Sequence, residues 1–254
     1  MTATRGWVIH RYDRVASTMT TAAHLASFGA PDRTAVIAAE QTAGRGRGGR
    51  VWQAAARSAL FCTLLLRPRL AADRLSTLPL LTGVAVAEAI EQLTGCPAQV
   101  KWPNDVWLGA DRERPKVAGI LTTSHLDAGD VDHVLVGVGI NVSTPPESLP
   151  PEATSILAAT AVTFSVDTIF DAFRARFDDA YGAFLSTNGR PSLAPWRARA
   201  ALLGETVTIQ DSDRAYHGVF TGIDDDGGLL LAEDGQPLRK LVAGDLTRGP
   251  RPVT

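Results

Sequence analysis

Two periods of polar and apolar positions divide this chain. Residues 35–39, Ala-Val-Ile-Ala-Ala, form a short apolar run that predicts a buried strand, and Ala59–Leu66 forms another, stopped by Pro68. Residues 100–102, 117–121 and 134–142 predict further strands. Helical spacing governs the segments between. Val8-Ile9 leads into Ser17-Thr18, and residues 19–28, ended by Gly29, predict a short helix with Ser17 as its N-cap. Residues 76–93 place Leu78, Leu81, Ala85 and Ile90 near helical spacing, with Pro79 tolerated in the first turn and Gly95 just past the end. The clearest helix covers residues 165–185, where Ile169, Phe173, Phe177, Tyr181 and Phe184 line one face as core packing.

Beyond Gly204 the pattern changes. Residues 207–210, 216–223, 229–232 and 238–242 predict short strands separated by turn clusters such as Asp224-Asp225-Asp226-Gly227-Gly228. The predicted organisation is an α+β domain over residues 1–203, a mixed sheet packed with helices, followed by a small β domain over 204–254.

Composition narrows the class. Hydrophobic residues at 45% and charged residues at 20% exclude global disorder. A net charge of −2 leaves no global basic field to recruit nucleic acid. A chain of 254 residues buries enough core without disulfides, and Cys62, inside an apolar strand, reads as a buried thiol. No export signal opens the sequence, and Thr82, Gly83 and Glu88 interrupt the longest apolar stretch. The expectation is a cytoplasmic protein with no membrane partner. His10, His24, His125, His133 and His217 are scattered, so no metal site is predicted.

The chemistry concentrates in two places. Residues 41–50 read Gln-Thr-Ala-Gly-Arg-Gly-Arg-Gly-Gly-Arg. Gly44, Gly46 and Gly49 satisfy G-x-G-x-x-G, but no amphipathic helix follows and no acidic residue stands at the expected spacing, so a dinucleotide fold is rejected. Arg45, Arg47 and Arg50 repel one another unless anions neutralise them, and arginine forks match carboxylate and phosphate oxygens. The glycines let such a loop close over an anion and exclude water. The segment predicts a flexible lid for a substrate carrying carboxylate and phosphate. The second place is Lys101-Trp102-Pro103-Asn104-Asp105, a cation, an amide and a carboxylate gathered by a turn. Lys116 then opens Val117-Ala118-Gly119-Ile120-Leu121, and Gly139-Ile140-Asn141 follows.

In this order, these blocks resemble the biotin protein ligases (biotin–acetyl-CoA-carboxylase ligases). Ser17-Thr18, residues 41–50 with Trp52, Lys101 to Asp105, Lys116 to Leu121, Gly139 to Asn141 and Ala153-Thr154-Ser155-Ile156 carry the resemblance, which covers nearly the whole chain. It implies a catalytic domain similar to class II aminoacyl-tRNA synthetases and an SH3-like C-terminal β-barrel. It also implies a monofunctional enzyme without an N-terminal DNA-binding domain. The implied reaction activates biotin with ATP, accompanied by Mg2+, as biotinyl-5′-AMP. Biotin then passes to a lysine of a biotin carboxyl carrier protein. Whether the enzyme is a monomer or homodimer stays open.

By resemblance, Ser17, Thr18 and Gln41 bond the ureido ring, with Gly44, Arg45, Gly46 and Gly119 completing the biotin site. Arg45 and Arg47, with Lys116, hold the carboxylate and adenylate oxygens, and Lys101 reaches the α-phosphate. Arg50, Trp52, Asn104, Asn141 and Trp196 meet the nucleotide. Asp105 helps the acceptor lysine lose its proton, caps the turn, or orients Lys101. Ser17 also reads as a plain helix cap, and Trp52 and Trp196 as plain core aromatics. Two departures from the family pattern stand out: Met19 where asparagine is usual, and a longer, more charged segment over residues 108–115. The competing readings are a lipoate or octanoate ligase or transferase on a related fold, and a non-catalytic biotin-binding regulator. Beyond Gly204 no catalytic residue types cluster, so that unit is expected to dock the carrier rather than serve the first step.

Overall fold

A computed structural model describes residues 6–109, 115–211 and 213–249. Of the unusual segment 108–115, residues 110–114 lie outside the described residues. The first sheet contains β1 (Val8–Val15), β2 (Thr34–Gln41), β3 (Ala59–Leu66), β4 (Ala98–Lys101), β5 (Asp105–Leu108), β6 (Lys116–Asp127) and β7 (Asp130–Asn141). Their order is β1-β2-β3-β7-β6-β5-β4. Only β1 and β2 run parallel; the other neighbours are antiparallel. A mixed sheet packed with helices was expected. The length of β1 was not: His10, Arg11 and Asp13 fit a strand there because β1 is an edge with one neighbour.

β3 is buried along its whole length, since both faces of the sheet are covered. On one face lie α2 (Leu78–Thr94) and α4 (Val166–Ser186), whose Phe170, Phe173, Phe177 and Phe184 join Leu64, Val136 and Ile120 in the main core. The stripe is core, as its spacing predicts. Ser165 caps α4 by accepting from Thr168 N at 3.0 Å. On the opposite face α1 (Thr18–Ser27) sets Met19, Ala22 and Ala26 against Val36, Leu65 and Leu135. Adjacent strand residues point to opposite faces, which separates these two clusters.

Two short helices, α3 (Ile156–Thr160) and α5 (Ala194–Ala198), were not legible in the sequence. They are too short to show a period. The C-terminal sheet comprises β8 (Thr206–Asp211), β9 (Arg214–Ile223), β10 (Leu229–Ala232), β11 (Arg239–Leu241) and β12 (Asp245–Arg248). Its order is β11-β10-β9-β8-β12, all antiparallel, with β11 and β12 at the two edges rather than closed on each other among the described residues. The buried side chains of this sheet adjoin those of the first. Phe220, Leu229, Leu231 and Leu246 are continuous with the main core, and Phe220 meets Trp196 edge-on at 6.5 Å. Trp102 Nε1 also donates to Gly227 O at 3.0 Å, tying the turn after β4 to the same sheet.

Candidate functional site

The site lies on the α1 face and follows from strand register. Lys101 is opposite Asp105, Asp105 opposite Gly119, Gly119 opposite Gly139. Directly opposed residues share a face, so one row carries a cation, a carboxylate and two bare glycines. Trp52 fills the bare stretch: a Cβ on Gly139 would lie 2.5 Å from its indole and one on Gly119 2.9 Å. The glycine–arginine loop delivers Trp52 there. Trp52 N donates to Gly44 O at 3.1 Å, Gly46 N donates to Arg50 O at 2.7 Å, and Arg45 bridges Val51, closing the neck of the loop. A side chain at Gly44 would strike Trp52 O at 2.3 Å, so this crossing requires glycine.

Arg47, Trp52, Asn104, Lys116 and Gly46 form a partition with a cavity on either side. The inner cavity is lined further by Ser17, Thr18, Met19, Gln41, Arg45, Gly119 and Gly137. Its polar end is prearranged. Gln41 Oε1 accepts from Thr18 N at 2.7 Å and from Thr18 Oγ1 at 3.0 Å, and Thr63 Oγ1 donates to Thr18 Oγ1 at 2.9 Å. These bonds fix the Gln41 amide so that its Nε2 remains as a donor. Ser17 holds the N-cap backbone position of α1, but its hydroxyl caps nothing, and Gln41 satisfies the first-turn amide instead. Ser17 is 2% exposed and its Oγ has no partner among the described residues. A buried unpaired hydroxyl is costly, which favours the ligand reading over the plain cap.

The outer cavity lies between Arg50 of the loop, Lys101, Asp105 and Asn141 on the first sheet, and Asp245, Leu246 and Thr247 on β12. Lys116 Nζ is 2.7 Å from Asp105 Oδ1 and 5.4 Å above the Trp52 ring, while Lys101 Nζ lies 5.2 Å above Trp107. Each ammonium is thus braced by an indole. Burial, with repulsion from Lys116, Arg50 and Arg47, holds Lys101 below the ordinary lysine value, and Asp105 opposes the shift. Burial and Arg50 likewise lower Arg47, with Asp105 and Asp211 acting the other way. Concentrated positive charge of this kind suits an incoming anion. Asn141 Nδ2 donates to Thr154 O at 3.0 Å, leaving a buried Oδ1 without a partner among the described residues.

Two expectations change. Trp196 belongs to neither cavity: it is 2% exposed, under Phe220, because α5 is too deeply packed to present it to a nucleotide. The C-terminal sheet, expected to stand apart from the first step, reaches into the site. Arg47 donates to Gly244 O at 2.6 Å and to Asp245 at 2.8 Å, and Arg50 pairs with the same carboxylate. Nothing in the linear sequence flags Asp245, which is 195 positions from Arg50. Thr63 and Trp107 were missed for the same reason: only register places them. Among the described residues no group of three His, Cys, Asp or Glu side chains could hold a metal, and no helix is long and apolar enough to cross a membrane.

Comparison with known proteins agrees with this geometry. Residues 12–141 match the model of the biotin/lipoate A/B protein ligase family, and residues 202–246 match that of the biotin protein ligase C-terminal domain. The biotin–[acetyl-CoA-carboxylase] ligase of Mycobacterium tuberculosis is 32% identical over 251 residues, 95% of this chain and 89% of that protein. The bifunctional ligase/repressor BirA of Bacillus subtilis is 32% identical over 242 residues, 94% of this chain and 73% of that protein. The biotin protein ligase of Aquifex aeolicus, solved in complex with biotin and ATP, superposes with a TM-score of 0.79 at 26% identity, covering 95% of this chain and 99% of that one. By motif, by strand register and by similarity over almost its full length, the chain belongs to the biotin/lipoate A/B protein ligase family.

Proposed function

We propose that this chain is an ATP-dependent biotin–[acetyl-CoA-carboxylase] ligase. It activates biotin as biotinyl-5′-AMP and transfers it to a lysine of a biotin carboxyl carrier protein. One observation carries the reading: two cavities of different chemistry share a partition containing Arg47 and Lys116. The inner cavity offers a hydroxyl and an amide donor to a cyclic urea. The outer one offers cations to a triphosphate. At the partition a carboxylate oxygen attacks the α-phosphorus, and the α–β bridging oxygen leaves with pyrophosphate. Carboxylate and phosphate repel, so cations beside both lower the barrier, and Lys101 stabilises charge that grows on the phosphoryl oxygens. Arg47 and Arg50 cover the mixed anhydride and keep water from it.

In the second step an acceptor amine attacks the acyl carbon and AMP leaves. A free lysine at pKa ~10.4 is largely protonated at neutral pH, and Asp105, facing the cavity between Lys101 and Lys116, is the carboxylate placed to receive the proton. Magnesium arrives with the phosphates of ATP. The residues from 204 onward are assigned an SH3-like fold and carrier docking, a reading supported by the five-stranded order and the bulge between Leu230 and Leu231. A reaction supplied with ATP and a carboxylase carrier belongs in the cytoplasm. The hydrogen-bonding end of the inner cavity favours a ureido ring over the apolar head of lipoate or octanoate. Lys101, Asp105, Lys116 and Arg47 together favour a catalyst over a passive binder.

The test is ATP–pyrophosphate exchange with purified protein. Exchange is expected with biotin and not with lipoate; exchange with lipoate alone would overturn the proposal. A second expectation concerns the base. The unpaired Asn141 Oδ1 is an acceptor, which fits the amino group of adenine and repels the carbonyl of guanine. Asn141→Ala is expected to lower the preference for ATP over GTP by roughly tenfold, the equivalent of one buried hydrogen-bond mismatch. A preference equal to that of the unsubstituted protein would remove Asn141 from the base site.

A further inference from the structure

The inner end of the biotin cavity has two unlike walls. One is polar, formed by Ser17, Thr18 and Gln41. The other is apolar, formed by Met19 and Leu121 over Gly137. Thr63, Gly137 and Leu121 make one row across β3, β7 and β6. Met19 lies over the middle of that row: a Cβ on Gly137 would sit 2.8 Å from its Sδ and 3.2 Å from its Cγ. The thioether therefore rests on bare backbone, and Met19 is only 8% exposed. Position adds to this, because Met19 follows Ser17 and Thr18 in the first turn of α1. The same turn thus supplies both walls.

A thioether donates no hydrogen bond and accepts only weakly. It is unbranched and polarizable, so it adapts its shape to what it touches. A fused bicyclic ring whose urea edge meets Ser17 and Gln41 must turn its other ring, the one bearing sulfur, toward an apolar surface. We infer that Met19 is a specificity-determining residue: its thioether sets the depth of the head pocket and selects the sulfur-bearing ring of biotin by shape. This assignment rests on the proposed biotin ligase activity. Because the wall is soft, the unsubstituted protein accepts small changes in ring shape. It rejects a ring that carries added polar bulk on sulfur, since those oxygens would meet a buried surface without donors.

The experiment compares biotin with biotin sulfone, which bears two oxygens on the ring sulfur, in ATP–pyrophosphate exchange by the full chain. The quantity read is the ratio of their kcat/KM values, which does not depend on the fraction of folded protein. Met19→Ala is expected to lower the preference for biotin by roughly tenfold or more, the scale on which small pockets discriminate by size. Met19→Leu keeps the core filled, since Leu and Met exchange with little volume change. Its branched, less adaptable wall is expected to raise the preference severalfold. If Met19→Ala does not fold, the leucine variant decides alone. An unchanged ratio in the variants that exchange biotin overturns the assignment. So does an effect that appears only with an analogue whose acyl tail is one methylene shorter, which would place Met19 on the tail. Absence of biotin-dependent exchange in the unsubstituted protein would overturn the functional reading itself, and the inference with it.

Discussion

Lys101→Ala is expected to slow adenylate formation by roughly a hundred- to a thousandfold, the usual cost of deleting one preorganised donor to transition-state charge. Biotin binding should change far less, because Lys101 lines only the outer cavity. The empty protein should be at least as stable as before. Burial and neighbouring cations place the folded-state value of Lys101 below its ordinary one. The folded chain therefore holds that proton less well than the unfolded chain does. The resulting cost to stability is fully present below the folded value and fades as pH rises through it toward the unfolded value. Alanine removes this cost at neutral pH. The same direction predicts that adenylation falls on the alkaline side earlier than a free lysine would dictate, with that limb missing in the variant. Lys116→Ala differs, since Lys116 borders both cavities; it should weaken biotin binding and adenylation together. Pyrophosphate exchange at the unsubstituted rate in either variant would remove that lysine from the site.

A chain ending at residue 203 is expected to lose adenylation altogether and to be insoluble or unfolded, not merely slow in transfer. Removing β8 to β12 strips Phe220 from Trp196 and deletes part of a continuous core. Each large buried side chain lost from such a core costs about 2–5 kcal/mol, and native domains hold only about 5–15 kcal/mol in total. A point variant separates the local role from this global one. Asp245→Ala removes the shared partner of Arg47 and Arg50. These pairs are half-exposed, so the melting temperature should move little. The loop, however, loses its anchor on β12. Trypsin should then cut after Arg45, Arg47 or Arg50 faster in the variant, and free biotinyl-AMP should leak at a higher rate. Equal cleavage in both proteins would mean that Gly44, Trp52 and the neck of the loop hold it without help from the C-terminal sheet.

Much of the site is readable in the linear sequence because its parts are contiguous. Residues 41–50 and Lys101 to Asp105 are local clusters whose charge and glycine content have no explanation in packing. The core strands were readable for a similar reason: β3 is apolar at nearly every position because both its faces are covered. Elements whose character is set by neighbours were not. β1 looks too polar for a strand until its edge position is known, and β5 is too short for any period to emerge.

What the sequence determined by itself was therefore the inventory: a cationic loop, a lysine–carboxylate turn, a run of small residues and an amphipathic frame of strands and helices. Tertiary structure decided the assignments that depend on long-range register. It sent Trp196 into the core, released the Ser17 hydroxyl by letting Gln41 cap α1, and set Trp52 on Gly119 and Gly139. It also brought Asp245 to Arg47 and Arg50. The physical reason is common to all four. A side chain's local propensity is a property of its own segment, but its partner is fixed by which strand lies opposite and which loop closes over it, and those are settled only when the whole core packs.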